Sequence, residues 1–583
     1  MARYRDRSRI ALALACALAA LAPVATLRAD GPRPGDAVLA LVPPDAGVTI
    51  LLEDLRTRVP AVLASPMASG LREWPAVVAW LRSEPGGRLL RARRDIEALL
   101  GLPLTRLRDD VLGDAVALAL VLPEGEPAEA ARGLLLTKVR DRDVLDRLLA
   151  AINAAESRDG ALRRVDARVH RGRAYSVRVF ERGGKPDEAY AVLEGGLFAW
   201  SNSVALITAA IDRQEGASDG GLLREPRAAA LAAALPADAM ARVLVDPRFL
   251  ERAAPGSPAK DTPSQAWLRR YVAAQRYLGM ALSWRDGPVL DLVEHRDPAR
   301  LDEPLRRWAA RPGDLDPMLR RIPADAPVVA AAHLDAAALT DLLLGLVAPA
   351  DGPRVEAMLQ GVQGMLLGRD LREQILPALG PAAVGYLDLG PEGDADAMHT
   401  AVAIHLADAN DVGPAIENGL RTLFALSAFG GKPRPGKPAR SVETRPIGAT
   451  RVTVLAGGAT TPAFALGAGV LAIGLDPEAV ATLAAGGPGG GPPWLAALRA
   501  ERFPQGETFV AADVAALVRR ADARREALVA RLSRDRDGNR EAAASDLDLV
   551  LGLLRLSRFA YAASTTSVDG AAAHRTVGLI AAP

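Results

Sequence analysis

The sequence predicts an α+β fold: two tandem homologous copies, each with mainly antiparallel sheet covered by helices. Three observations predict it. A Pro–Asp unit recurs four times, longer segments pair up in the same order, and hairpin signals close each half.

The recurring unit is an apolar residue, Pro, one or two small or polar residues, a short apolar run, then Asp opening a helical stretch. It reads Val42-Pro43-Pro44-Asp45-Ala46 to Asp54 and Leu235-Pro236-Ala237-Asp238-Ala239 to Asp246. It returns as Ile322-Pro323-Ala324-Asp325-Ala326 to Asp335 and, more loosely, as Phe503-Pro504-Gln505-Gly506 to Asp513. Pro and Asp set a turn, the apolar run is a buried strand, and the later Asp accepts hydrogen bonds from free amides of a helix start. Asp246-Pro247 is the best instance, because Pro suits the first helical position.

The paired segments extend this order. Leu99-Leu100-Gly101 to Gly113-Asp114 matches Leu366-Leu367-Gly368 to Gly380-Pro381, and strands are expected after each, at 115–122 and 382–389. A strand and capped helix follow at 134–139 and 143–155, and again at 400–406 and 411–424. Residues 191–199 and 464–472 each read as a hairpin with Gly at its turn. A second hairpin turns at Asp286-Gly287 and at Asp569-Gly570. The expected organisation is therefore a signal peptide at 1–29, a first copy at 30–296, a Pro-rich linker at 297–319 and a second copy at 320–583. Hairpin-joined neighbours favour antiparallel pairing over a doubly wound parallel sheet.

Composition narrows the function classes. The 583 residues suffice for several domains, and half are apolar while 24% are charged, so large cores form and general disorder is excluded. Lys+Arg 71 against Asp+Glu 70 leaves +1. That excludes a globally basic protein that coats nucleic acid, and no nucleic-acid partner is expected. Aromatic residues are 4% of the chain, too few for stacking platforms beyond core duty.

The N-terminus reads as an export signal. Arg3, Arg5, Arg7 and Arg9 precede an apolar run at 10–21, Pro23 ends it, and Leu27-Arg28-Ala29 offers a cleavage site. The run is too short and Ala-rich for a membrane span, so membrane contact is expected only if the segment stays uncleaved. Cys16 lies inside it, with Ala13 where a lipid-modified cysteine wants a large aliphatic residue. Cleavage after Ala29 leaves a cysteine-free chain, which excludes disulfides, thiolate metal sites and a cysteine nucleophile. The expected location is exported, periplasmic or extracellular.

Leu235 to Ala239, Ile322 to Ala326, Gly368-Arg369-Asp370-Leu371 with Leu379-Gly380, and residues 470–474 together resemble a bacterial family of exported domains of unknown function with repeated Leu-Pro-x-Asp-Ala strand-helix units. The first half departs from it at Gly101-Leu102-Pro103-Leu104, which lacks the Asp. The resemblance implies export and architecture. It carries over no catalytic residue.

Chemistry-bearing motifs are sparse. His170, His295, His333, His399, His405 and His574 show no zinc spacing. Gly431 to Lys437 has the Gly-x4-Gly-Lys spacing, but Pro438 stands where magnesium needs Ser or Thr. Ser257-Pro258-Ala259-Lys260 matches Ser-x-x-Lys by letter alone, since Gly256 and Pro258 spoil the helical turn. The paired acids Asp141/Asp143 and Asp394/Asp396 read as caps and loop residues. The strongest local pattern is calcium-like: Asp535, Asp537, Asn539 and Asp546 fall at positions one, three, five and twelve of an EF-hand loop. Arg540 stands where that loop needs Gly, so a solvated turn between helices competes with it.

These readings favour a non-catalytic, exported envelope protein that binds or scaffolds an envelope protein partner. The alternative is a periplasmic carrier of an apolar ligand, which requires a continuous apolar sheet face left open by helices. A hydrolase without a recognisable motif ranks last. No cofactor other than calcium is expected.

Overall fold

The structure is a computed structural model. It describes residues 33–123, 125–126, 130–181, 185–216, 220–253, 261–310, 313–389, 399–429, 440–458, 460–486, 490–534 and 537–582. Residues 1–29, where a signal peptide is expected, Ser257 to Lys260, the Gly431–Pro438 loop, Asp394, Asp396 and Asp535 lie outside the described residues.

Ten strands form the first half: β1 (Val48–Glu53), β2 (Ala115–Val121), β3 (Arg132–Lys138), β4 (Leu162–His170), β5 (Arg173–Phe180), β6 (Glu188–Val192), β7 (Leu197–Ser201), β8 (Ala241–Val245), β9 (Gln275–Trp284) and β10 (Pro288–Arg296). Ten more form the second: β11 (Val328–His333), β12 (Leu379–Asp388), β13 (His399–Leu406), β14 (Ser441–Ile447), β15 (Thr450–Ala456), β16 (Ala463–Gly467), β17 (Val470–Gly474), β18 (Thr508–Asp513), β19 (Ser557–Thr566) and β20 (Ala572–Ala581). All pairings among them are antiparallel. The first half runs β4-β5-β6-β7-β3-β2-β1-β8-β9-β10. The second runs β14-β15-β16-β17-β13-β12-β11-β18-β19-β20, the same order with each strand number raised by ten.

The expected α+β mixture is therefore present, as one continuous antiparallel sheet. The sheet is continuous because β10 pairs with β20, Val289 opposite Gly578 through His295 opposite Ala572. Each half would otherwise expose an edge of unpaired N–H and C=O groups, and pairing the two edges removes that cost.

The Pro–Asp unit works as its chemistry dictates, with one exception. The turn closes by Ala46 N–H to Pro43 O, Ala239 N–H to Pro236 O and Ala326 N–H to Pro323 O. Asp335 Oδ1 accepts from Ala338 N–H at 2.9 Å, Asp513 Oδ1 from Ala516 N–H at 2.7 Å, and Asp246 Oδ1 from Arg248 N–H at 3.0 Å. Asp54 differs: its φ is 57° and its side chain caps no amide of the helix Leu55–Leu63. The segment 297–319, expected as the linker, contains helices Glu303–Ala309 and Asp316–Leu319, and Met318 and Leu319 are buried in the second core.

Helices lie on both faces of the sheet, and those that form the two largest cores mark the face here called inner. Helices Pro34–Leu39, Val204–Gln214 and Pro226–Ala234 pack Val38, Ile207, Ile211 and Leu231 against Leu51, Ala117, Leu134, Ala199 and Tyr277. Helices Pro477–Ala485 and Pro493–Arg502 pack Val480, Leu483 and Leu495 against Val329, Val384, Ala403 and Phe509. The abundant strand alanines let these helices approach closely.

Candidate functional site

An antiparallel sheet with one solvated face ordinarily alternates apolar inward with polar outward. Here the outer face breaks that rule. Following the register from strand to strand, Leu282 faces Leu290, Leu290 faces Val577, Val577 faces Ala562 and Ala562 faces Val510. The row continues through Ala330, Gly385 and Val402 to Ile473. With strands about 4.8 Å apart, these nine positions span about 38 Å, and none carries a polar side chain.

Much of the row lies in solvent. Leu290 is 46% exposed, Val577 52%, Val510 51% and Val402 46%. Met280 and Leu579 beside it are exposed as well. The helices of the outer face form local clusters that leave most of it open, Leu282 alone packing against the first of them. Val62 and Met67 pack on Met240 and Trp284, and Val144 and Leu145 on Phe198. Val518 and Leu547 sit over Ala512 and Ala560, and Val412 and Ile416 over Leu406 and Leu471. The segment after helix Pro66–Glu73 reaches helix Arg540–Leu554, where Trp74 Nε1 donates to Leu549 O at 3.0 Å.

A polar lane borders the apolar row. Along β20 the residue two before Val577 is Arg575, which faces Leu292 on one side and Ser564 on the other; Ser564 in turn faces Thr508. Arg575 pairs with Glu294, which also pairs with Arg296 at 2.5 Å. The Tyr271 hydroxyl donates to Glu294 Oε2 at 2.5 Å. Burial works against the Glu294 carboxylate, but the Tyr271 hydrogen bond and the two guanidinium groups outweigh it and hold its pKa below the ordinary glutamate value. Burial, then the hydrogen bond to Glu294, pushes the Tyr271 phenol up. Tyr271 stacks on Trp267 at 5.3 Å between centroids, and the Trp267 indole N–H is buried without a hydrogen-bond partner.

The calcium-like positions are dispersed in role. Asn539 caps the helix Arg540–Leu554, its Oδ1 accepting from Ala542 N–H at 3.0 Å. Asp546 lies within that helix, and Asp537 occupies a left-handed turn with φ 53°. Among the described residues, no group of three or more His, Cys, Asp or Glu side chains could hold a metal ion.

The histidines also take separate partners. His170 meets Asp212, His399 meets Asp476, His405 meets Gly380 O and His333 meets Gly313 O. Burial lowers the pKa of His295. His574 Nε2 and Thr576 Oγ1 both approach Asp291 Oδ1, at 2.9 and 2.5 Å. A nucleophile relay needs the imidazole to bridge acid and hydroxyl through its two nitrogens, and here Nε2 faces both. A polar cleft of about 710 Å³ beside Trp494 holds Asp325, Asp388 and Asp513, but the first two pair with Arg520 and the third is a helix cap.

Sequence reasoning named neither the apolar row nor Arg575, Glu294 and Tyr271. The available signal was the two-sided apolar character of strands such as Ala115–Val121 and Val470–Gly474, which reads equally well as a strand buried on both faces.

No family model matches this chain, and no curated protein matches it. Among solved structures, crystal form IV of TP0453 is similar over 44% of this chain and 79% of that chain, at 12% identity and a TM-score of 0.23. A likeness of that size carries no argument about fold or function.

Proposed function

We propose that this chain is an exported, non-catalytic binding protein whose open sheet face takes the acyl chain of an amphiphile. The observation that carries the proposal is the exposed row from Leu290 through Val577 and Val510 to Val402. Contiguous apolar surface of this kind marks a binding face, and covering it returns roughly 25 cal/mol per Å². Backbone groups beneath the row are spent in the sheet ladder and the side chains offer no donor or acceptor. A hydrocarbon chain loses nothing on such a surface, whereas a peptide backbone would leave its polar groups unmatched. Of the two non-catalytic readings, the row therefore favours the apolar carrier over the protein scaffold.

The same proposal takes the two halves as products of a tandem duplication. Their shared pairing order supports this. Export is supported by the basic head, apolar run and Ala29 site of the N-terminal segment.

The test is calorimetric titration of the full chain with dodecanol, a neutral probe that carries the hydrocarbon chain alone with a hydroxyl end. Binding with a negative heat-capacity change is expected. The double variant Val510→Glu with Val577→Glu should abolish it while keeping the circular-dichroism spectrum and melting temperature. Absence of binding to the parent chain, or full binding by a folded double variant, would overturn the proposal.

A further inference from the structure

We infer that the amphiphile carries an anionic oxygen headgroup, a carboxylate or a phosphate, and that Arg575 seats it. This inference rests on the acyl-binding reading and adds the ligand's polar end.

Two guanidinium groups, Arg296 and Arg575, share one carboxylate, that of Glu294. Glu294 and Arg296 are buried, and Arg296 contacts the carboxylate through both Nε and a terminal nitrogen. Both nitrogens donate to the same oxygen, Oε2, so this one guanidinium already balances the single negative charge of Glu294. Arg575 approaches the other carboxylate oxygen, and its side chain is 42% exposed. The cluster thus holds one positive charge in excess, and the surplus lies on the solvent side.

Outward-facing residues along β10 run Leu290, Leu292, Glu294, and along β20 they run Arg575, Val577, Leu579. Antiparallel pairing sets Leu290 against Val577 and Leu292 against Arg575. The seam therefore grades from aliphatic at one end to charged at the other within a few residues. An amphiphile lying across it places its chain on Leu290, Val577 and Val510 and its headgroup beside Arg575. Ser564 and Thr508 continue the polar lane next to Ala562 and Val510, supplying hydroxyls to a headgroup with several oxygens. Arg575 matches such a group, because a guanidinium offers paired donors to carboxylate or phosphate oxygens. The buried, unpartnered indole N–H of Trp267, stacked on Tyr271, is a further unsatisfied donor beside the same cluster.

The experiment compares dodecanoate, dodecyl phosphate and dodecanol on the full chain and on Arg575→Gln. Both anions should bind the parent chain at least about tenfold more tightly than the alcohol, and the variant should bind all three alike. Preference for one anion over the other identifies the headgroup as carboxylate or phosphate. Arg575→Gln leaves Glu294 paired with Arg296, so the variant is expected to fold, and its melting temperature checks this. If the alcohol and the anions bind the parent equally, or the variant keeps the anion preference, the headgroup assignment fails while the acyl reading stands. If none of the three binds the parent, the acyl reading itself fails. Should Arg575→Gln not fold, Arg575→Lys, which keeps the charge and loses the paired donors, should retain part of the anion preference; an undiminished preference there overturns the guanidinium role.

Discussion

Thr576 Oγ1 donates to Asp291 Oδ1 at 2.5 Å across the β10–β20 seam, and the pairing runs on either side of it without a register shift. On one side Leu290 faces Val577 and Val289 faces Gly578; on the other, Leu292 faces Arg575 and Val293 faces His574. A second donor, His574 Nε2, reaches the same carboxylate oxygen. Asp291 is buried, and its other oxygen has no partner. Removing a donor from a buried carboxylate exposes the cost of its desolvation. Thr576→Val, which keeps the shape and deletes the hydroxyl, should therefore destabilise the chain by about 1–3 kcal/mol. Thr576→Ser should restore most of it. Urea denaturation followed by circular dichroism reads the difference, and an unchanged midpoint for Thr576→Val would show that the seam does not depend on this bond.

Acid should loosen the seam in a defined direction. The Glu294 carboxylate has a folded pKa below its ordinary value, although burial opposes this, because Tyr271, Arg296 and Arg575 favour the charged form. A depressed carboxylate contributes stability that is complete above the unfolded pKa, about 4.3, and is lost as pH falls through the lower folded value. Tyr271→Phe removes one of the favouring hydrogen bonds, so the folded pKa rises toward the ordinary one. The variant should unfold at higher pH than the parent in an acid titration, and should lose about 1 kcal/mol at neutral pH. An acid midpoint that stays put would detach Tyr271 from the carboxylate's energetics.

Local chemistry was legible in the sequence and surface exposure was not. The Pro–Asp turns, the strands beginning near Ala115 and Thr400, and the antiparallel helix–strand mixture all follow from residue types acting over a few positions. The joining of β10 to β20 depends on residues some 280 apart in sequence, and no propensity encodes it. The open row was hidden for a related reason. Val577 and Val510 carry the same side chain as core valines such as Val329, and only the arrangement of helices decides which stay exposed. Glu294 and Arg575 are likewise two ordinary charges until the seam brings them together.

The four Asp residues of the recurring unit should separate on mutation. Asp335 caps the helix Ala336–Leu344 through Ala338 N–H, so Asp335→Ala leaves a helix amide without its partner and should cost about 1 kcal/mol. Asp54 caps nothing and holds a left-handed backbone, its side chain engaged only loosely with Arg58 at 3.6 Å. Glycine adopts that backbone without penalty, and a partly exposed ion pair is worth little. Asp54→Gly should therefore be neutral or stabilising by up to about 1 kcal/mol. Equal losses at the two positions, measured by thermal unfolding, would refute the distinction drawn from the Asp54 φ.

Asn539 poses the same question for the calcium-like stretch. Its Oδ1 is bound to Ala542 N–H, at the head of the helix whose Leu547 and Leu551 pack beneath β18 and β19 residues. A helix cap acts through that amide whatever ions are present. Asn539→Ala should therefore lower stability by about 1 kcal/mol, and by the same amount in calcium as in chelator. Asn539→Asp, which retains an oxygen acceptor at the helix start and adds favourable negative charge there, should recover the loss under both conditions. A loss that appears only in calcium would instead return Asn539, with Asp537 and Asp546, to the role of cation ligands.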